Sequence, residues 1–267
     1  MSALTFKMKQ SPDQRVNLSC LTPDRLAGMK SKDIEALHIG TTRTKLCVGD
    51  LFKVSGDETS NIRFVGTDHR CDHIGARFSE GQVMVDGNAG AYLGASLRGG
   101  ALLLKGNAGP YAGAAMSGGT IDIGGNVGER AGGVLVGEVH GMRGGRLIIR
   151  GDAGPMLAER MRRGIITVCG DAGDYAGARV VAGTIVFLGK VGRFAGYGNK
   201  RGTLIFKKEP KEILPTYSDC GVIEFTYLKL LERHLKEHDV KLRLPRRAQR
   251  LIGDMASKGK GEMLILR

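Results

Sequence analysis

Between Gly66 and Phe206, apolar residues recur in columns rather than along one continuous face. The motif Gly-(Asn/Asp/Lys)-x-Gly opens at Gly87, Gly106, Gly125, Gly151, Gly170 and Gly189, in steps of 19, 19, 26, 19 and 19 residues. A divergent first copy starts at Gly66 and has gained two residues by Gly75, and a seven-residue insertion lies between Gly132 and Gly144. Fifteen positions after each opening glycine stand Val83, Leu102, Ile121, Leu147, Ile166, Ile185 and Leu204. Seventeen positions on stand Val85, Leu104, Ile123, Ile149, Val168, Phe187 and Phe206. A spacing of two puts both columns on one face of a strand. Position ten adds Phe78, Leu97, Met116, Met142, Met161, Val180 and the departure Asn199, which is expected to disturb packing of the last copy. A glycine corner at Gly81, Gly100, Gly119, Gly145, Gly164, Gly183 and Gly202 precedes each strand, as suits a turn needing positive φ. One strand per repeat, stacked in register, predicts an all-β chain: a parallel β-helix, a solenoid of about seven coils over residues 61–206.

The flanks lack this period. In residues 1–60, Thr22-Pro23 reads as a helix start and Ser31 as the cap of a second short helix reaching Leu37. Leu46, Val48, Leu51 and Val54 read as short strands leading into the first coil. In residues 207–267, Lys207-Lys208-Glu209-Pro210 begins a linker. Phe225, Leu228, Leu231 and Leu235 predict one amphipathic helix between Val222 and His238. Arg243 to Arg250 is basic and interrupted by Pro245. This extension is expected to cap the solenoid or meet a partner, because an open coil exposes unpaired strand edges.

Composition narrows the class. The 42 glycines with only 7 prolines and no triplet period exclude collagen. No apolar run approaches membrane-spanning length and MSALTFKMKQ lacks an apolar leader core, so a soluble cytoplasmic chain is expected. The five cysteines are odd in number and scattered, which suits a reducing compartment. Net charge is +13 and concentrated: Arg143 to Arg201 holds eleven Lys/Arg against four Asp/Glu.

Two outward columns carry the candidate binding residues. Position sixteen reads Met84, Leu103, Asp122, Ile148, Thr167, Val186, Ile205, and an outward apolar stripe of this kind is normally covered. Met84, Leu103, Ile148, Val186 and Ile205 are therefore candidates for a partner interface, with the chain's own C-terminal helix as the other possible cover. Around position eleven the stacked copies bring Arg143, Arg160, Arg162, Arg163, Arg179, Lys200 and Arg201 onto one side. Like charges on adjacent coils repel, so this face is either simply solvated or a track for an extended polyanion.

Catalytic constellations are thin. His69, Cys71 and His73 alternate within Asp68–His73, and His234 and His238 stand at i, i+4, but neither group has a second ligand cluster or an HExxH frame. Neither Gly196-Tyr197-Gly198 nor Gly259-Lys260 completes a phosphate-binding loop. Cys169 reads as an incidental small residue. A basic wall with scattered acids excludes sugar-cleaving β-helices, and a period of nineteen excludes hexapeptide-repeat acyltransferases. We assign no catalytic residue and no metal site from the sequence.

The repeat segments GAAMSGGTIDIGG (113–125), AERMRRGIITVCG (158–170) and GARVVAGTIVFLG (177–189), with VGDLFKVSG (48–56) ahead of them, resemble the family of the formylmethanofuran dehydrogenase C subunit. That family includes the C subunit of the formyltransferase/hydrolase complex, and the C-terminal domain of glutamate synthase is distantly similar. The resemblance spans residues 1–206, and the basic balance and the tail favour the hydrolase version. It implies a non-catalytic, cytoplasmic subunit of a hetero-oligomer in one-carbon metabolism (formaldehyde oxidation). There, a transferase subunit moves formyl from formyl-tetrahydromethanopterin to a methanofuran-type amine, and a metal-dependent amidohydrolase subunit releases formate. The carrier's glutamate-rich tail agrees with the basic columns. No bound cofactor is implied for this chain beyond contact with that carrier. The alternatives are the C subunit of the dehydrogenase itself and a free-standing nucleic-acid-binding solenoid. The latter is disfavoured by few aromatics, with Tyr92, Tyr111, Tyr175 and Phe194 sharing column five.

Overall fold

The computed structural model describes residues 2–42, 45–240 and 242–267. The chain is mostly β, with few helices. Six repeat strands follow one another: β6 (Gln82–Asp86), β7 (Ala101–Leu104), β8 (Thr120–Ile123), β9 (Arg143–Ile149), β10 (Arg163–Val168) and β11 (Gly183–Phe187), with β12 (Gly202–Phe206) after them. Each pairs in parallel with the next, so residues one repeat apart are direct neighbours, as in Ile166↔Ile185 and Ile185↔Leu204. The two apolar columns thus become two continuous inward rows. One runs from Ile62 through Val83, Leu102 and Ile121 to Leu204, and the other from Phe64 through Val85 to Phe206. All are buried, and Phe187 stacks on Phe206 at 5.1 Å.

A second set of parallel bridges, Ala89↔Ala108↔Val127↔Ala153↔Ala172↔Val191, joins the same repeats two positions after each opening glycine. It explains the polar residue of the motif. Asn88 Oδ1 accepts from the Asn107 N–H (2.8 Å), and Asn107 Oδ1 accepts from that of Asn126 (2.7 Å). The row continues through Asp152 and Asp171 and ends at the Lys190 N–H (2.7 Å). Asn and Asp are required because only a short side-chain acceptor reaches the next repeat's backbone. The glycine corners behave as read: Gly81 to Gly183 in that column all have positive φ. Gly202 does not, but a Cβ there would lie 2.3 Å from Val180 Cγ1.

At the N-terminal end, β1 (Ala3–Met8) pairs in parallel with β4 (Glu58–Val65) and antiparallel with β3 (Phe52–Ser55), which is the terminal strand there. Two-residue strands β2 (Val16–Asn17) and β5 (Cys71–Asp72) make a separate small sheet. Helices α1 (Pro23–Leu26) and α2 (Ser31–Glu35) fall where Thr22-Pro23 and Ser31 pointed, although Lys30 rather than Ser31 holds the N-cap position. Val48–Leu51, expected as strand, is a short helix, α3. Asp50 accepts the Cys47 N–H in a capping box, and this local bond outweighs the β-propensity of the apolar residues.

The C-terminal segment differs most from expectation. Beside the expected helix, α4 (Thr226–Lys236), it holds three strands, β13 (Ser218–Glu224), β14 (Arg247–Gly253) and β15 (Gly261–Leu266). β15 pairs in parallel with β12 and β14 pairs antiparallel with β15, so the sheet grows to thirteen strands ending at β13. The helix is shorter than the Val222–His238 pattern because β-branched Val222 and Ile223 enter β13. Asn199 does not disturb the last repeat. It is fully buried, yet its amide exchanges two hydrogen bonds with Gly202 (2.8 and 3.0 Å) beneath the C-terminal strands.

Helix α4 runs down the stack, across the strands. Tyr227 meets Thr184 Oγ1 on β11 (3.0 Å), and His234 Nε2 accepts from Arg146 Nε on β9 (3.0 Å). Seven helical residues rise about 10 Å and two strand spacings are about 9.6 Å, so helix turns and strands stay in step. Leu228, Leu231 and Leu235 are thereby set on the outward row Ile148, Val186, Ile205 and Leu264 as a second apolar cluster.

Candidate functional site

The corner of each repeat contains left-handed residues that are not glycine. Column five holds Tyr92, Tyr111, Arg130, Met156, Tyr175 and Phe194, all with φ between 57° and 63°. Column nine holds Arg160 (φ 55°) and Arg179 (φ 56°). This backbone costs about 1 kcal/mol per residue for a non-glycine. Bonds between repeats hold it: Tyr92 N donates to Pro110 O (2.9 Å) and Arg160 N to Ala178 O (3.0 Å). Between the two columns stands the glycine column; a Cβ on Gly132 (φ +63°) would lie 2.5 Å from Ile166 Cδ1. The alternation aims column five into a stack, with Tyr92–Tyr111 at 5.1 Å and Tyr175–Phe194 at 4.9 Å. It aims the column-nine arginines of successive repeats to one side.

Arg160, Arg179 and Lys200 meet there, lining a cleft of about 400 Å³ with Val139, His140, Val181, Tyr197 and Asp254. The carboxylate in the cleft offers the cations little. Asp254 accepts the N–H groups of Gly198 and Ala256 (both 3.0 Å). Burial raises its pKa, but these backbone donors outweigh burial and hold the carboxyl below its usual range. Glu159, 4% exposed, lies 3.2 Å from Arg130 Nη1 and 3.7 Å from Arg179 Nη1, so Arg179 is partly compensated. Arg160 and Lys200 have no carboxylate partner among the described residues.

Arg143, Arg162 and Arg163 line an adjoining concavity of about 230 Å³. Arg143 and Arg163 are direct partners across β9 and β10, beside an irregularity in the register. All three are exposed and lack a carboxylate partner among the described residues. Arg201 is exposed and lines neither hollow. Exposed like charges one strand apart repel by about 1 kcal/mol in water, which an anion would relieve. The structure thus groups six of the seven predicted cations into two neighbouring hollows. Sequence reasoning missed His140, which the insertion supplies, and Tyr197, which belongs to no apolar column.

The outward apolar stripe has a different fate. Ile148, Val186 and Ile205 are at most 1% exposed, covered by this chain's own α4, and are unavailable to a partner. The helix supplies the apolar face they require, and its turns match their spacing. Met84 and Leu103, beyond the end of α4, are half-buried. Arg146, unassigned from sequence, anchors the helix; its guanidinium also lies 3.4 Å from His238 Nδ1.

Neither histidine group is arranged as a free ligand set. Cys71 is buried, its thiol pushed up to about 12 mainly by burial, while His73 stacks on Tyr92 at 4.7 Å. His234, Glu237 and His238 bring ligand atoms within 4.8 Å of one another. Arg146 takes one ring nitrogen of each histidine, His234 Nε2 and His238 Nδ1, which sets a cation beside that group. Burial raises the pKa of the Cys169 thiol, against a lowering by Arg150. Among the described residues no helix is long and apolar enough to cross a membrane.

The family model described as GXGXG motif matches residues 61–249. The Fhc C subunit of the formyltransferase/hydrolase complex from Methylorubrum extorquens is 38% identical over 89 residues, 33% of this chain and 34% of that protein. The C subunit of the tungsten-containing formylmethanofuran dehydrogenase 2 from Methanothermobacter marburgensis is 31% identical over 98 residues, 35% of this chain and 36% of that protein. These two alignments therefore span about a third of each curated relative. The fold matches over nearly the whole length a chain in the crystal structure of the formyltransferase/hydrolase complex (FhcABCD) from Methylorubrum extorquens in complex with methylofuran. The TM-score is 0.93 at 37% identity, covering 98% of this chain and 99% of that one.

Proposed function

Because the chain belongs to the GXGXG-motif family, we propose that it is the non-catalytic scaffold subunit of a formyltransferase/hydrolase complex. Such a complex converts formyl-tetrahydromethanopterin to formate through a formylated methanofuran-type carrier. One observation carries this reading: the whole-length likeness to a chain of such a complex at 37% identity. Transfer and hydrolysis are assigned to the transferase and metal-dependent amidohydrolase subunits, and no reacting residue to this chain. The assembly works in the cytoplasm.

In this reading the basic face guides the carrier's polyglutamyl tail. Arg143, Arg162 and Arg163 take one stretch of carboxylates, Arg160, Arg179 and Lys200 the next, and Arg201 extends the face. Exposed ion pairs contribute about 0.2–1 kcal/mol each. Several together retain a tail, and none alone fixes it, so the carrier head stays free to move. Met84 and Leu103 are the part of the apolar stripe left for a partner subunit.

We further read the repeats as coils of a parallel β-helix over residues 61–206, between an N-terminal segment (1–60) and a capping extension (207–267). The two parallel ladders sharing one interior support it. The dehydrogenase alternative draws on the 31% match alone. The nucleic-acid alternative gains nothing from the column-five rings, which stack on one another.

The test is native affinity purification of the tagged chain from its own cells, with identification of the chains that accompany it. Transferase and amidohydrolase subunits, with formate-releasing activity in the eluate, are expected. A chain that elutes alone would overturn the assignment.

A further inference from the structure

We propose that the outer edge of β13 is a docking edge for an extended, acidic segment of another polypeptide, which adds as a further strand beside Val222–Glu224. β13 ends the thirteen-stranded sheet and pairs only with β14. All seven of its residues are exposed. The opposite terminal strand, β3, is four residues long, carries Lys53 and is packed by α2 and α3. Short length, a lysine and a helical cover are the usual protections of a sheet edge. β13 lacks these three: it is seven residues long, holds no Lys, Arg or Pro, and has no helix packed on it among the described residues. Asp219 accepts from Gln249 Nε2 (2.7 Å), and Glu224 lies 3.8 Å from Arg246 Nη1.

Two further observations define the occupant. Val222, Ile223, Tyr227 and Leu230 expose 38–56% of their surface along one short stretch, so the edge offers apolar contact beside its free backbone groups. Where β13 turns into α4, Lys229, Arg243 and Arg246 line a hollow of about 430 Å³ with Leu244 and Pro245. Arg243 and the adjacent Arg247 have no carboxylate partner among the described residues. Apolar alternation with acids next to it is therefore the complementary sequence. A second copy of this chain would bring like charges together, because its net charge is +13. The register shift between Asp219 and Val222, with Gly221 at φ +77°, kinks the strand and leaves Val222–Glu224 as its longest unbroken run of pairing.

The proposal rests on the subunit reading above, since it needs an assembly to join. Hydrogen exchange is compared between the native assembly and the free chain. Amides within residues 222–224 that face the open edge are expected to exchange at least about tenfold more slowly in the assembly. Ile223→Lys and Arg243→Glu/Arg247→Glu should each release the chain from its partner while the free variants keep wild-type Tm and circular dichroism. An intact assembly with no added protection at 222–224, or one unaffected by both variants, overturns the docking edge and leaves the subunit role standing. A chain with no partner overturns both. Self-association of the free chain that Ile223→Lys abolishes would make the occupant a second copy and overturn the acidic partner.

Discussion

Truncating Leu231 to alanine should release α4 from the wall while leaving the repeats beneath it intact. Leu231 is 2% exposed and packs in a cluster with Ile148, Val186 and Ile205 that is distinct from the inward core. A buried Leu→Ala costs about 2–5 kcal/mol. The helix's polar ties to the wall, at Thr184 and Arg146, contribute about 1 kcal/mol each and cannot absorb that loss. Taking about 3 kcal/mol, the undocked population rises roughly a hundredfold. Native-state hydrogen exchange reads this directly: amides of 228–237 should accelerate roughly a hundredfold, and those around Ile166 and Ile185 should not change. Leu230→Ala, on a residue 56% exposed, should do little. Equal acceleration in the repeat strands would refute the separation of the two clusters, and an unchanged helix would refute its docking.

Other consequences follow from the same geometry. Burial first, then the Arg146 charge, lowers the pKa of His234 and His238. Their lowered folded values stabilise the docked helix at pH above about 6.5, and that contribution is lost as pH falls through them. The protection factors of α4 amides, corrected for intrinsic exchange at each pH, should fall between pH 7 and 5, and His234→Gln/His238→Gln should flatten that response. Asp152→Ala removes the acceptor of the Asp171 N–H and should cost about 0.5–1.5 kcal/mol, lowering Tm by a few degrees in a circular-dichroism melt, whereas Lys190→Ala at the end of the row should not. In thiol titration of the native chain at pH 8, exposed Cys220 should react quickly and Cys71, with its thiol near 12, only after unfolding.

The repeat was legible because its columns obey a period of two within strands and nineteen between them, and burial enforces both. Column five was legible as a set of rings but not as left-handed backbone. That conformation is imposed on Tyr175 and Arg179 by the hydrogen bonds their N–H groups donate to carbonyls of the next repeat, which leave no trace in local propensity. The C-terminal strands were missed for a related reason. β14 reads RAQRLIG and does not alternate; its pairing with β15 includes an ion pair, Arg250 to Glu262 at 2.9 Å, in place of an apolar contact. The basic face was visible in the charge columns. Its division into two hollows was not, because the one holding Arg160, Arg179 and Lys200 is shaped by the insertion bearing Val139 and His140 and by Tyr197.

The most direct test of the account is the amount of carrier retained by the purified complex when Arg162 and Arg163 are both replaced by glutamate. The complex should assemble with its full set of subunits and lose most of its bound carrier, with the wild-type loss growing as salt is raised. Undiminished carrier in an intact complex would contradict the role given to the basic face.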